Sequence, residues 1–122
     1  GYWLLIYNDE AACGTACTQA LYTTRQLRKM LGKEMDRLKR VWLHGATSPD
    51  TVFLTNEHAG LMTLEDSGLS SLLNNKKPAE LTAGGYFLVD PLGNLVMYFE
   101  PDTYPSLIVE DMKRLLKLSR IG

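Results

Sequence analysis

The sequence predicts an α/β fold in which a mixed central sheet is covered by helices on both faces. Three features predict it. An apolar run, Trp3-Leu4-Leu5-Ile6-Tyr7, has the length of a strand and no polar alternation, as expected of a strand buried on both faces. A long amphipathic stretch and a second apolar run follow it, which makes a strand-helix-strand unit whose crossover implies parallel pairing. Near the other end, Tyr86–Val89 and Leu95–Phe99 are apolar runs joined by the turn residues Asp90-Pro91-Leu92-Gly93-Asn94, a β-hairpin pattern.

The elements follow in order. After the loop Ala11-Ala12-Cys13-Gly14-Thr15, the residues Cys17, Ala20, Leu21, Thr24, Leu27 and Leu31 recur at steps of three and four. That is the stripe of an amphipathic helix beginning near Thr15, and Gly32 is its natural stop. Arg40 to His44 is the second strand, with Val41, Trp42 and Leu43 as its body, and Gly45 to Asp50 is a polar loop. Thr51 to Asn56 fits either strand or helix. Glu65 to Asn74 reads as a helix with Leu69, Leu72 and Leu73 inward, and Lys76 to Gly85 as a loop. Pro101 and Pro105 bracket a break, and Leu107, Ile108, Met112, Leu115 and Leu116, with Leu118 beyond them, mark the apolar side of a closing helix to about Ser119. This order of elements is the thioredoxin arrangement.

With 122 residues, 45% of them hydrophobic, the chain has the size of one domain with its own core, and residues 1–122 are expected to form a single unit. A charged fraction of 22% and a net charge of -1 provide no electrostatic footprint for nucleic acid or for an anionic membrane surface. The basic cluster Arg25, Arg28, Lys29 and Lys33 sits beside Glu34 and Asp36 and reads as a solvated helix face. The start at Gly1, directly before a strand, predicts that an amino-terminal signal or anchor segment was removed; any membrane association is expected only through it.

Two cysteines do not make a disulfide framework, so their spacing serves a local purpose. In Cys13-Gly14-Thr15-Ala16-Cys17 they lie four residues apart where a buried strand hands over to a helix. Residues at i and i+4 of a helix are about 6 Å apart at Cα, within reach of a disulfide. Cys13, at the mouth of the helix, is the candidate nucleophile, and Cys17, one turn in, the resolving thiol. Asp9 and Glu10 oppose a thiolate at Cys13, and the loop holds no Lys, Arg or His, so its acidity is expected to be modest.

The remaining candidates read as structural. His44 ends a predicted parallel strand, the edge where ligands bind in open α/β sheets, and is the candidate for a replacement metal ligand or a proton source, with an ordinary strand-end hydrogen bond the stronger expectation. His58, beside Glu57, is expected to be exposed. Met62, Met97 and Met112 adjoin apolar runs and read as core, as do Trp3, Trp42 and Tyr86. There is no nucleophile elbow and no phosphate loop.

The Trp-Leu-Leu-Ile-Tyr run, the CxxxC pair and the later Tyr86-Phe87-Leu88-Val89-Asp90-Pro91-Leu92-Gly93-Asn94, with Tyr98-Phe99 after it, resemble the Sco/SenC family over nearly the whole chain. The resemblance implies a thioredoxin-like fold tethered in a bacterial inner membrane or its mitochondrial counterpart, facing the periplasm or the intermembrane space, with the periplasmic face of the bacterial membrane the leading expectation. It also implies a role in maturation of the copper site of cytochrome c oxidase, by thiol-disulfide chemistry or copper delivery. Partners would be a protein thiol or disulfide, such as an oxidase subunit or a copper chaperone. The family binds copper through both cysteines, here Cys13 and Cys17, and a later histidine. Counting back from Phe87-Leu88-Val89-Asp90-Pro91 places that histidine at about Thr82, and Lys76 to Gly85 contains none. The family's usual Pro after the first cysteine is replaced by Gly14, which predicts a more mobile loop. Two thiolates suffice for Cu(I), whereas Cu(II) draws on imidazole. Thiol-disulfide redox chemistry, with copper optional, is therefore the leading expectation, followed by a copper metallochaperone and a non-enzymatic assembly domain.

Overall fold

The computed structural model describes residues 1–119. Strand β1 (Trp3–Asp9) leads into helix α1 (Thr15–Met30), and a 3-10 turn over Gly32–Arg37 then feeds β2 (Leu38–His44). Helix α2 (Thr51–Glu57), strand β3 (Met62–Glu65) and helix α3 (Ser67–Lys76) follow, then the hairpin β4 (Tyr86–Val89) and β5 (Leu95–Phe99), and helix α4 (Pro105–Ser119). The five strands form one sheet in the order β3-β2-β1-β4-β5. β1 pairs parallel with β2, from Trp3 with Leu38 to Asp9 with His44. β4 pairs antiparallel with β1 and with β5, so the sheet is mixed, as the sequence predicts.

Alternation along the central strands divides the core in two. Trp3, Leu5 and Tyr7 of β1, with Leu38 and Trp42 of β2, pack against Cys17, Leu21 and Leu27 of α1 and Ile108, Met112 and Leu116 of α4. Ile6, Val41, Leu43 and Phe87 point to the other face and meet Leu73 of α3. Burial of each such side chain contributes about 1.5–3 kcal/mol, which explains why β1 tolerates no polar residue before Asn8. Gly32, at φ +62°, supplies the left-handed backbone that ends α1 and its Leu31 cap, where the sequence placed the stop.

Thr51–Glu57, open between strand and helix in the sequence, is a helix, capped by Asp50, whose carboxylate accepts from the amides of Val52 and Phe53. Several local expectations are corrected. β3 has no counterpart in the sequence reading, and Met62, expected in the core, is 48% exposed on this edge strand. β2 starts at Leu38, two residues before the expected bound. Leu72 of α3 and Leu107 and Leu118 of α4 face outward rather than inward. Trp3, Trp42, Tyr86 and Met112 are buried as expected.

Candidate functional site

β1 is the inner strand that carries the chain to the loop at residues 10–14, and α1 carries it away. Cys13 precedes the N-cap Gly14, whose carbonyl accepts from Thr18 N at 2.9 Å and so closes the first turn. Cys17 lies inside that turn, 1% exposed and packed on the α1-side core, whereas Cys13 is exposed. The two form a disulfide across 5.1 Å between Cα atoms, so the spacing closes as the sequence suggests. Gly14 offers no side-chain cap and the first turn holds no acidic residue, which leaves its amide N–H groups and dipole unopposed by a local carboxylate. The Thr18 hydroxyl lies 3.9 Å from Cys13 Sγ and can donate to it.

Both neighbouring acids are engaged elsewhere. The Tyr7 hydroxyl donates to Asp9 Oδ2 at 2.8 Å, and Ala11 N donates to Asp9 Oδ1 at 3.0 Å. Burial, reinforced by Asp9, raises the Tyr7 phenol well above its ordinary range, so it stays a donor. The buried Ser70 hydroxyl lies 2.9 Å from both Glu10 Oε1 and Asn8 Oδ1, and Asn8 Nδ2 donates to Asn74 Oδ1 at 3.3 Å. These bonds tie the cysteine loop to α3. From the opposite side Gly45 approaches so closely that a Cβ there would run into the Glu10 carbonyl.

A groove of about 860 Å³ opens alongside, lined by Tyr7, Glu10, Ala16, Gly84, Tyr86 and Tyr104 among others. Ala16 lies between the cysteines in sequence, so the groove adjoins the disulfide. The loop before β4, where the third ligand was expected, borders it through Ala83 and Gly84. Thr82 itself is exposed, and its backbone is fixed by Glu100 Oε1, which accepts from Thr82 N at 2.9 Å, and by the Tyr98 hydroxyl, which donates to Thr82 O at 2.6 Å.

The histidines sit elsewhere. His44 shares the strand face of Trp42, stacks edge-on against it, and holds the Gly45 carbonyl 2.7 Å from Nδ1. A carbonyl only accepts, so Nδ1 carries the hydrogen. His58 is not exposed as the sequence suggested. It is 96% buried, because Arg40 NH1 donates to its Nδ1 at 3.2 Å and Phe53 packs across its ring. Burial first, and then Arg40 and Arg25, lower its pKa to about 4, so it is neutral near pH 7. Among the described residues, no group of three His, Cys, Asp or Glu could hold a metal ion. The soft donors brought together here are the two sulfurs, which become thiolates only after the disulfide is reduced. The Ser70–Glu10 link and the Arg40–His58 pair were missed from sequence; the one available signal was Arg40 itself, in phase with the buried Leu38 and Trp42.

A family model described as a transmembrane-like, thioredoxin-like, C-terminal domain matches residues 3–119. Among solved structures, the chain is similar to copper-bound ScoI of Bradyrhizobium japonicum, with 19% identity over 93% of this chain and 85% of that one and a TM-score of 0.66. Copper-bound yeast Sco1 gives 16% identity, 96% and 79% coverage and a TM-score of 0.73. Apo Sco1 from Thermus thermophilus gives 17% identity, 94% and 80% coverage and a TM-score of 0.69. At these identities the likeness shows a shared thioredoxin-like fold, the fold that the sequence resemblance implied. No curated protein matches this chain in sequence.

Proposed function

Since the chain belongs to the transmembrane-like, thioredoxin-like C-terminal domain family, we propose that it is a thiol-disulfide redox protein working through Cys13 and Cys17. The observation that carries this reading is a closed Cys13–Cys17 disulfide with one sulfur-bearing residue exposed at the mouth of α1 and the other buried behind it. In the reduced domain the Cys13 thiolate attacks a partner disulfide, forms a mixed disulfide and releases one partner thiolate. Cys17 then attacks Cys13 Sγ, its proton passing to the second departing partner sulfur, and the Cys13–Cys17 bond closes. Two electrons move to the partner, and an external dithiol must restore the reduced pair. The groove beside Ala16 is where a partner segment would lie.

The likeness to Sco proteins supports a finer setting. The partner would be a cytochrome c oxidase subunit or a copper chaperone, the task preparation of a copper site, and the place the periplasmic face of a bacterial inner membrane, with an amino-terminal tether. A second reading, favoured by the copper-bound state of two of the similar structures, is delivery of copper as cargo on the reduced pair.

Trapping tests the first reading. Reduced Cys17→Ser should accumulate a mixed disulfide with a small disulfide such as oxidised glutathione, because the resolving thiol is gone, and Cys13→Ser should react far more slowly than the parent. Equal reactivity of Cys13→Ser and the parent would sink the oxidoreductase reading.

A further inference from the structure

The second half of α1, the start of β2 and the connection from α2 to β3 enclose a separate concavity of about 440 Å³. Four cationic side chains line it, Arg25, Arg28, Lys29 and Arg40, against one carboxylate, that of Glu57; Lys39 borders it, but its side chain points to the other face of the sheet, where its Nζ lies 4.3 Å from the centre of the Tyr2 ring. The sequence presents the first three as part of a solvated helix face; the fold adds Arg40 from β2 and makes the surface concave.

Arg40 is 4% exposed, and no carboxylate pairs with it among the described residues. Its NH1 reaches only neutral acceptors, namely Leu21 O at 3.4 Å, Thr24 Oγ1 at 3.2 Å and His58 Nδ1 at 3.2 Å. Arg25 Nε is also buried, without a hydrogen-bond partner. Arg25 does pair with Glu57, at 3.6 Å, and Arg28 with the exposed Asp36, at 3.5 Å, which leaves Lys29 and Arg40 in excess. A buried charge is costly unless a counter-charge meets it. The lowered pKa of Arg40, about 10 through burial and then repulsion from Arg25 and Arg28, reports the same unbalanced field.

We propose that this pocket binds a phosphate-class anion, whose oxygens complete the hydrogen bonding of the arginine and lysine heads. The site is distinct from the thiol site, since Arg28 lies about 16 Å along α1 from Cys17 at the rise of an α-helix. The anion can come from free phosphate or from a phospholipid headgroup, and the recognition chemistry is the same.

Titration of the folded domain with inorganic phosphate, followed by amide NMR, tests the site. Saturable shifts are expected at Lys39, Ala59 and Gly60. Lys29→Glu should weaken binding by about tenfold or more, as expected for losing a charge-assisted hydrogen bond. Lys117→Glu, which makes the same charge change on α4, should leave it intact. Co-sedimentation with vesicles of phosphatidylglycerol and phosphatidylcholine, against phosphatidylcholine alone, identifies the source. Retention on the anionic vesicles that is lost in Lys29→Glu makes it a headgroup, and absence of retention makes it free phosphate. No saturable phosphate shift, or equal loss in both variants, overturns the proposal.

Discussion

Arg40 donates to His58 Nδ1 across 3.2 Å, and both residues are buried between the sheet and α2. The pair has a direct consequence for acid stability. His58 has a folded pKa of about 4 against an ordinary 6.5, so as pH falls the unfolded chain takes up the proton first. Stability is therefore lost between pH 6.5 and pH 4, by at most about 3 kcal/mol from this group. His58→Gln, which keeps an acceptor for Arg40, should flatten that part of the profile in denaturant titrations. Arg40→Met should raise the His58 pKa seen by NMR only part of the way to 6.5, because burial is the larger cause. An unchanged acid slope in His58→Gln would refute this account.

The closeness of Gly45 to the Glu10 carbonyl gives a second expectation. A Cβ at 45 meets backbone on both sides of the contact, so no flexible side chain can yield. Gly45→Ala should destabilise the domain by about 1–3 kcal/mol. The displaced Glu10 loop should also alter the reduction potential of Cys13–Cys17, readable by equilibration with glutathione. Parental stability and potential in Gly45→Ala would show that the loop relaxes without strain.

What was legible in the sequence follows from where the information is stored. β1, α1 and the hairpin announce themselves because side-chain burial sets their pattern, and the CxxxC spacing closes as a helix requires. β3 was invisible because its four residues are all exposed and its backbone pairing with β2, from Met62 with Val41 to Glu65 with His44, leaves no mark on residue type. His58 looked exposed because its neighbour Glu57 is charged, whereas its burial depends on Arg40, eighteen residues earlier. The groove beside Ala16 combines three distant loops, which no local pattern encodes.

The copper question yields a third expectation. Reduced, the domain should take up one Cu(I) through Cys13 and Cys17, because two thiolates satisfy that ion, and should not hold Cu(II) stably without an imidazole. Thr82→His tests the missing ligand. Its backbone is pinned by Tyr98 and Glu100, so the new side chain enters from a fixed loop bordering the groove. The variant should gain a Cu(II)-thiolate absorption band that the parent lacks. Tight Cu(II) binding by the parent would instead show that a donor such as His44 moves in.

The last expectation concerns the acidity of Cys13. The first turn of α1 has unopposed amide N–H groups and Thr18 within 3.9 Å, which favour a thiolate, but Asp9 and Glu10 precede it and no cationic residue lies between Asn8 and Thr18. The carboxylates are fixed in place beside the loop, Asp9 by Tyr7 and Glu10 by Ser70. The rate of exchange between the reduced domain and a small disulfide should therefore keep rising to about pH 8, as for an ordinary thiol, rather than levelling in acid as a strongly activated one does. Glu10→Gln removes one negative charge while keeping an acceptor for the Ser70 hydroxyl. Its rate profile should shift to lower pH, and the Cys13→Ser background should stay flat. A parent profile already level below pH 6 would mean that the helix terminus outweighs both carboxylates, and this ordering of effects would be wrong.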